Sequence, residues 1–224
     1  MQGSLSFRDT LSYVAAQLNR LFPDGNVVAE DDLEHPVKEA LEAAEFCFAH
    51  IKDRHFWRGD RPCFDHLHSE QYSMFLYWAG HAAWRQNKPA HVPLKLYLLN
   101  KALHGIDLFH EVVMPRVFKL GHGVGSVLGR ATYGEYFFVS QCCTVGAVGY
   151  DYPVFGRGVV LSSASSVLGR SHLHDEVCVG AGTLLVNETV EAGMTVVGHT
   201  PDIRCWPSKS PSWKNLFFEA VTGV

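Results

Sequence analysis

The sequence predicts an α+β chain: a helical domain over residues 1–105, a β-solenoid over 106–198, and an irregular tail or cap over 199–224. Three observations predict it. The first is a register of six. Leu108, Met114 and Leu120 share one phase, and after a seven-residue step Val127, Tyr133, Val139 and Val145 share the next. A four-residue excess at 149–153 follows, and Phe155, Leu161, Val167, Leu173, Val179 and Leu185 complete the series. Every one of these positions is apolar although only 47% of the chain is, so composition alone does not produce the pattern. A period of six is neither the roughly 3.6 of a helix nor the alternation of a flat strand; it is the period of a β-helical solenoid. The second observation is a companion column of small or β-branched residues four positions on: Val124, Ala131, Cys143, Val159, Ser165, Ser171, Val177, Thr183 and Thr189. The third is helical periodicity confined to the residues before Gly105.

Taken in order, Leu11, Val14, Ala15, Leu18, Leu21 and Phe22 form one apolar helix face, stopped by Pro23-Asp24-Gly25. Pro36 stands where a first helical residue belongs, ahead of Val37, Leu41, Ala44, Phe48 and Ile51. The stretch 55–68, rich in charge, aromatics and histidine, reads as a loop that reaches a site. Ser69 is placed to cap a helix carrying Tyr72, Phe75, Leu76, Ala79 and Ala83. Pro93 opens a fourth, with Gly105 as its stop. In the solenoid, three hexads make a coil of about 18 residues, stacked at about the 4.8 Å strand spacing. Gly129, Gly134, Gly146, Gly156, Gly169, Gly180 and Gly182 fall near its corners. Past Glu191 the register fails, and the amphipathic stretch 213–221 is expected to cover the solenoid's open end.

Net charge is −4 with no basic block, which speaks against nucleic acid as a partner. No membrane span and no signal peptide are expected. The six cysteines show no metal or disulfide spacing and read as reduced thiols of a cytoplasmic protein.

Among 13 histidines, His122 stands apart. It follows a register position, Leu120, by two residues and lies between Gly121 and Gly123. Gln141 and Ser163 hold the same offset after Val139 and Leu161, so a polar column His122–Gln141–Ser163 is expected on one face. Such a column is either a solvated ladder or the wall of a site.

The segments 121–129 (GHGVGSVLG) and 139–146 (VSQCCTVG) resemble the hexapeptide acyltransferases, and most of all the serine acetyltransferases. Asp107-Leu108, fifteen residues before His122, is similar to that family's Asp-Ile-His-Pro motif. The stretch 76–84 resembles its last helical segment, and 198–204 its C-terminal Gly-x-Pro-Ala-Arg-Ile. The resemblance implies a left-handed parallel β-helix assembled as a homotrimer, with a dimer of trimers formed through the helical domain as a further expectation. It implies acetyl-CoA as donor substrate and no metal. His122 would be the general base and Asp107 the carboxylate that orients it and stabilises its cation. Gly146, Ala147, Ser163, Gly180, Ala181 and Gly182 would border the coenzyme, and Arg204, Lys209 and Lys214 would meet its phosphates.

Two departures bear on the acceptor. Gly121 replaces the family's aspartate before the histidine, and Tyr150-Asp151-Tyr152-Pro153 replaces its Asp-Arg-His-Pro loop. A serine carboxylate calls for a cation, whereas Tyr150 and Tyr152 suit a sugar ring. The expected acceptor is therefore a hydroxyl of a sugar or polysaccharide unit, held by Gln141, Tyr150, Asp151 and Tyr152. L-Serine is the alternative, with Arg58 or Arg61 supplying the cation. Two other readings are a non-catalytic scaffold and a metal enzyme like the γ-class carbonic anhydrases, for which His172 and His174 are the nearest ligand pair.

Overall fold

A computed structural model describes residues 1–219, which divide into two compact units: 1–49 with 54–111, and 50–53 with the described residues from 112 on.

The first unit is built on four helices. In α1 (Phe7–Leu21) the Ser6 hydroxyl accepts from the Asp9 N–H at 3.2 Å, and Leu11, Val14, Ala15 and Leu18 are buried. Leu21 falls off that stripe and is exposed. Helix α2 (Glu30–Phe48) begins six residues before Pro36 rather than at it. The acidic first turn, Glu30, Asp31 and Asp32, complements the helix's positive end, and Leu33 already faces the core. That gain carries the helix through a proline that removes one ladder donor. Helix α3 (Ser69–Arg85) is capped one residue earlier than expected, by His68, and is buried along most of its length. Helix α4 (His91–His104) starts two residues before Pro93, where the missing N–H had no helical partner to lose. It ends at Gly105, whose φ of 64° closes the last turn onto Lys101.

The expected loop at 55–68 is largely a hairpin. Trp57–Arg58 and Arg61–Phe64 pair antiparallel across Gly59-Asp60, and Gln2–Gly3 adds a parallel third strand. Gly59, at φ 62°, supplies the turn that a reading from charge and aromatics overlooks. No described helix is long and apolar enough to cross a membrane.

The second unit is a parallel β-solenoid. On one face Phe118–Leu120, Phe137–Val139, Val160–Leu161, Cys178–Val179 and Met194–His199 pair in sequence. On the next, Val127–Leu128, Thr144–Gly146, Ser166–Leu168 and Leu184–Val186 do the same. Val154–Phe155, His172–Leu173 and Thr189–Val190 form the third. Two register residues do not line the interior: Leu108 is buried in the helical unit, and Val127 is 43% exposed, with Leu128 the inward residue paired with Val145. The register also outlasts Glu191. Val190 and Val196 are buried, and a five-residue step from Leu185 hides the continuation. The glycines at 134 and 156 serve close stacking rather than turning: a Cβ on Gly134 would lie 2.3 Å from the Gly156 carbonyl.

The tail does not close the open end as expected. Asp202–Pro207 folds back antiparallel on Met194–His199 and covers that edge. Trp213 instead packs on the flank, against Gly158 and Tyr136, with the Arg157 guanidinium 4.3 Å from its ring. Residues 220 and 221 of the predicted stretch lie outside the described residues.

Candidate active site

Four corners of the solenoid stack on one edge. Each has a left-handed residue at the same level, Gly125, Cys142, Ala164 and Gly182, and the first corner has a second, His122. Cys142 N–H donates to Val124, Ala164 N–H to Gln141 and Gly182 N–H to Ser163, so the column that stacks is Val124–Gln141–Ser163–Ala181. Gly121 N–H pairs one step earlier with Val139, as Ser140 does with Leu161 and Ser162 with Val179. His122 and Gly123 are thus two extra residues in the first corner. The predicted column His122–Gln141–Ser163 does not form, because the insertion begins right after Gly121 and an offset of two from Leu120 falls inside it.

The insertion is what presents the imidazole. His122 takes φ 52°, its carbonyl accepts from the Val124 N–H at 2.6 Å, and the Ser126 N–H bonds back to Gly123. These are local turn bonds, so the side chain leaves the solenoid wall and is exposed. Ser126 anchors the far end: its hydroxyl donates to Ser140 and accepts from the Cys143 N–H. It heads the buried column Ser126–Cys143–Ser165–Thr183, in which Val124 had been expected. On the near side Phe138 fixes position 121, since a Cβ there would sit 2.6 Å from the ring's Cζ. Neither Ser126 nor Phe138 was singled out from sequence.

Asp107 follows the Gly105 cap in the helical unit. Its carboxylate accepts from Tyr97 Oη at 2.8 Å and from Lys101 Nζ at 2.6 Å. Burial and then this bond push the Tyr97 phenol up, and the same carboxylate raises the Lys101 ammonium. Arg58 and Arg61, cross-strand partners in the hairpin, are exposed residues of that unit.

The remaining candidates lie in the solenoid unit. Gln141, Ser163 and Ala181 share one column, with Gly180 and Gly182 flanking the last. The Gly182 carbonyl lies 3.0 Å from His199 Nε2. Gly146 ends a strand of the adjoining face, followed by exposed Ala147. Residues 148–151 form a tight turn closed by reciprocal Val148–Asp151 backbone bonds. Tyr150 stands 95% exposed at its tip, with Asp151 and Tyr152 exposed beside it. Arg204 lies on the return strand opposite Val197, and exposed Lys209 follows that strand. Lys214 is committed to Glu219 and the Trp213 ring. His172 and His174 stack with ring centroids 4.1 Å apart, and the described residues hold no group of three metal-ligating side chains.

Four helices followed by a parallel β-solenoid is also the fold of solved serine acetyltransferases. In sequence, too, the chain is similar to serine acetyltransferases. The enzyme of Synechococcus elongatus is 28% identical over 124 residues, 53% of this chain and 50% of the relative. The chain therefore spans about half the length of that relative. A serine acetyltransferase structure in complex with CoA superposes with TM-score 0.69 at 19% identity, covering 90% of this chain and 86% of that one. The soybean enzyme complexed with serine gives 0.58 at 20% identity, covering 79% and 70%. No family model matches the chain.

Proposed function

We propose that the chain is an acetyl-CoA-dependent O-acetyltransferase with His122 as general base and L-serine as acceptor. The observation that carries the reading is the two-residue insertion that lifts a single imidazole out of an otherwise regular corner. An alcohol is a weak nucleophile at neutral pH, and a histidine with an ordinary pKa of about 6.5 can take its proton there. The acceptor oxygen attacks the thioester carbonyl as its proton passes to His122, and backbone N–H groups at a corner steady the tetrahedral oxyanion. Collapse breaks the carbon–sulfur bond, and the leaving thiolate takes the proton from the imidazolium. The family resemblance gives Asp107 the role of stabilising that cation; its carboxylate is engaged by Tyr97 and Lys101 within the helical unit.

The column Gln141–Ser163–Ala181, with Gly180 and Gly182, offers a shallow edge for the coenzyme arm. Gly146 and Ala147 border it, Arg204 and Lys209 meet the phosphates, and a homotrimer would complete the cleft. Lys214 is less suited to that task, being engaged by Glu219.

Serine is supported by the names of the relatives and by the complexed structures. The 148–152 turn favours a second reading, since its exposed Tyr150, Asp151 and Tyr152 offer aromatic and carboxylate groups to a sugar hydroxyl and no cation to a serine carboxylate. One experiment decides. Coenzyme A release from acetyl-CoA is followed with serine, sugars and no acceptor, for the parent and for His122→Ala. Turnover with serine that falls at least about a hundredfold in the variant supports the reading. Release with sugars alone moves the acceptor to the second reading, and undiminished turnover in His122→Ala removes the base.

A further inference from the structure

We propose that the Lys119–Asp53 ion pair is a positioning device for His122, locking the strand that enters its corner. The inference rests on the reading of His122 as the base. Lys119 Nζ donates to Asp53 Oδ2 at 2.7 Å, with the two side chains only 9% and 27% exposed. A lysine so far out of water is stable as a cation only when paired, so the contact is a constraint rather than a surface ornament. Lys119 is the centre of the strand Phe118–Leu120, three residues before His122. Its ladder partner is Phe138, whose ring fills the space beside Gly121. Beyond Gly121 the ladder is interrupted by the insertion, so residues 119–121 are the last ones pinned before the imidazole.

Asp53 comes from another part of the sequence. The stretch 50–53 is held on the solenoid unit by the C-terminal segment: Ile51 bridges Phe217, Lys52 N–H donates to Leu216 and Phe218 N–H to His50. The brace therefore joins three separated stretches, 50–53, 118–121 and 213–218. Its displacement is felt at His122 and Gly123, which the ladder does not hold.

The test compares Asp53→Ala, Lys119→Met and the double variant in the full chain. Asp53→Ala strands a buried cation and lowers both Tm and kcat. The double variant removes that cation and restores most of Tm. If the pair positions His122, kcat of the double variant stays down tenfold or more while KM for acetyl-CoA moves less than threefold. If the pair is merely structural, kcat returns with Tm, and the proposal falls. A second readout does not depend on turnover. The His122 ring resonance, assigned by its loss in His122→Ala, should shift or broaden in the double variant; an unchanged resonance overturns the proposal. Full activity in His122→Ala would remove the base reading alone, and the resonance would still decide whether the pair orders the corner.

Discussion

Replacing Gly121 by alanine isolates one contact beside His122. Gly121 has no left-handed φ, so the backbone itself accepts a side chain, and the substitution would otherwise stabilise by about 0.4–1 kcal/mol. The obstacle is steric. The new Cβ would lie 2.6 Å from Phe138 Cζ and 2.8 Å from Cε2. Carbon contacts settle at about 3.5–4.0 Å, so roughly 1 Å must be found. Either the Phe138 ring swings outward or the corner retreats, at about 1–3 kcal/mol of overpacking. A retreat of that size displaces the imidazole, and a misplacement of about 1 Å costs on the order of a hundredfold in rate. The assay is kcat for coenzyme A release, with Phe138→Ala as baseline and Gly121→Ala/Phe138→Ala as the relief variant. Gly121→Ala should lose about tenfold to a hundredfold, and the relief variant should return to within about threefold of Phe138→Ala. Parental turnover in Gly121→Ala, or no relief in the double variant, would refute the reasoning.

Trp213→Ala empties a site that is fully buried and removes the indole donation to Glu176 at 3.2 Å. Such truncations cost about 3–5 kcal/mol, but release of the tail sets a ceiling, so the clearer readout is faster amide exchange at Lys52 and Phe218. Unchanged protection there would mean the tail is held by other contacts. In the helical unit, the hydrogen bond from Lys95 lowers the Asp24 carboxyl from 3.8 to about 2. A depressed folded pKa stabilises above pH 3.8 and loses that contribution as pH falls through about 2. Lys95→Met should flatten this acid limb in urea titrations between pH 4 and 2, and an unaltered limb would assign it to other carboxylates. At position 122 the φ of 52° favours glycine over any L-residue. His122→Gly should therefore exceed His122→Ala in stability by about 1 kcal/mol; equal melting temperatures would mean the corner relaxes freely.

The solenoid was legible because its inward residues keep one period along each run and those a coil apart stack; Phe155, Leu161, Val167 and Leu173 needed no tertiary information. The first corner was not. Val127 and Leu128 are both apolar, so hydrophobicity cannot say which points inward. The choice is made by hydrogen bonds to a strand 17 residues away, Leu128 beside Val145. Offsets counted from Leu120 cross the insertion after Gly121, which takes His122 out of the column and moves the buried corner position from Val124 to Ser126. Pro36 misled for a related reason: a local rule about proline yielded to burial of Leu33 and to the acidic turn before it. The flank position of Trp213 depends on Gly158, 55 positions earlier, and no local pattern encodes it. His122 itself was picked out by its two glycine neighbours, which are what a corner insertion needs.

The same corner shows why one imidazole differs from the other polar residues of its edge. Gln141 and Ser163 sit in corners whose backbone is tied above and below, so their side chains are confined near the wall. At His122 two added residues trade ladder bonds for local turns. A non-glycine residue is then held at positive φ, at about 1–2 kcal/mol. Cys142 and Ala164 carry the same strain in later corners, so what sets the first corner apart is the insertion, not the φ. A neutral ladder would gain nothing from the lost ladder bonds, whereas a base that must reach beyond the wall gains its reach from them. The reach is useful only if the imidazole stays in place. Serine 126 bonds on one side and the Phe138–Gly121 contact on the other supply that restraint, with the Lys119–Asp53 pair behind the entering strand.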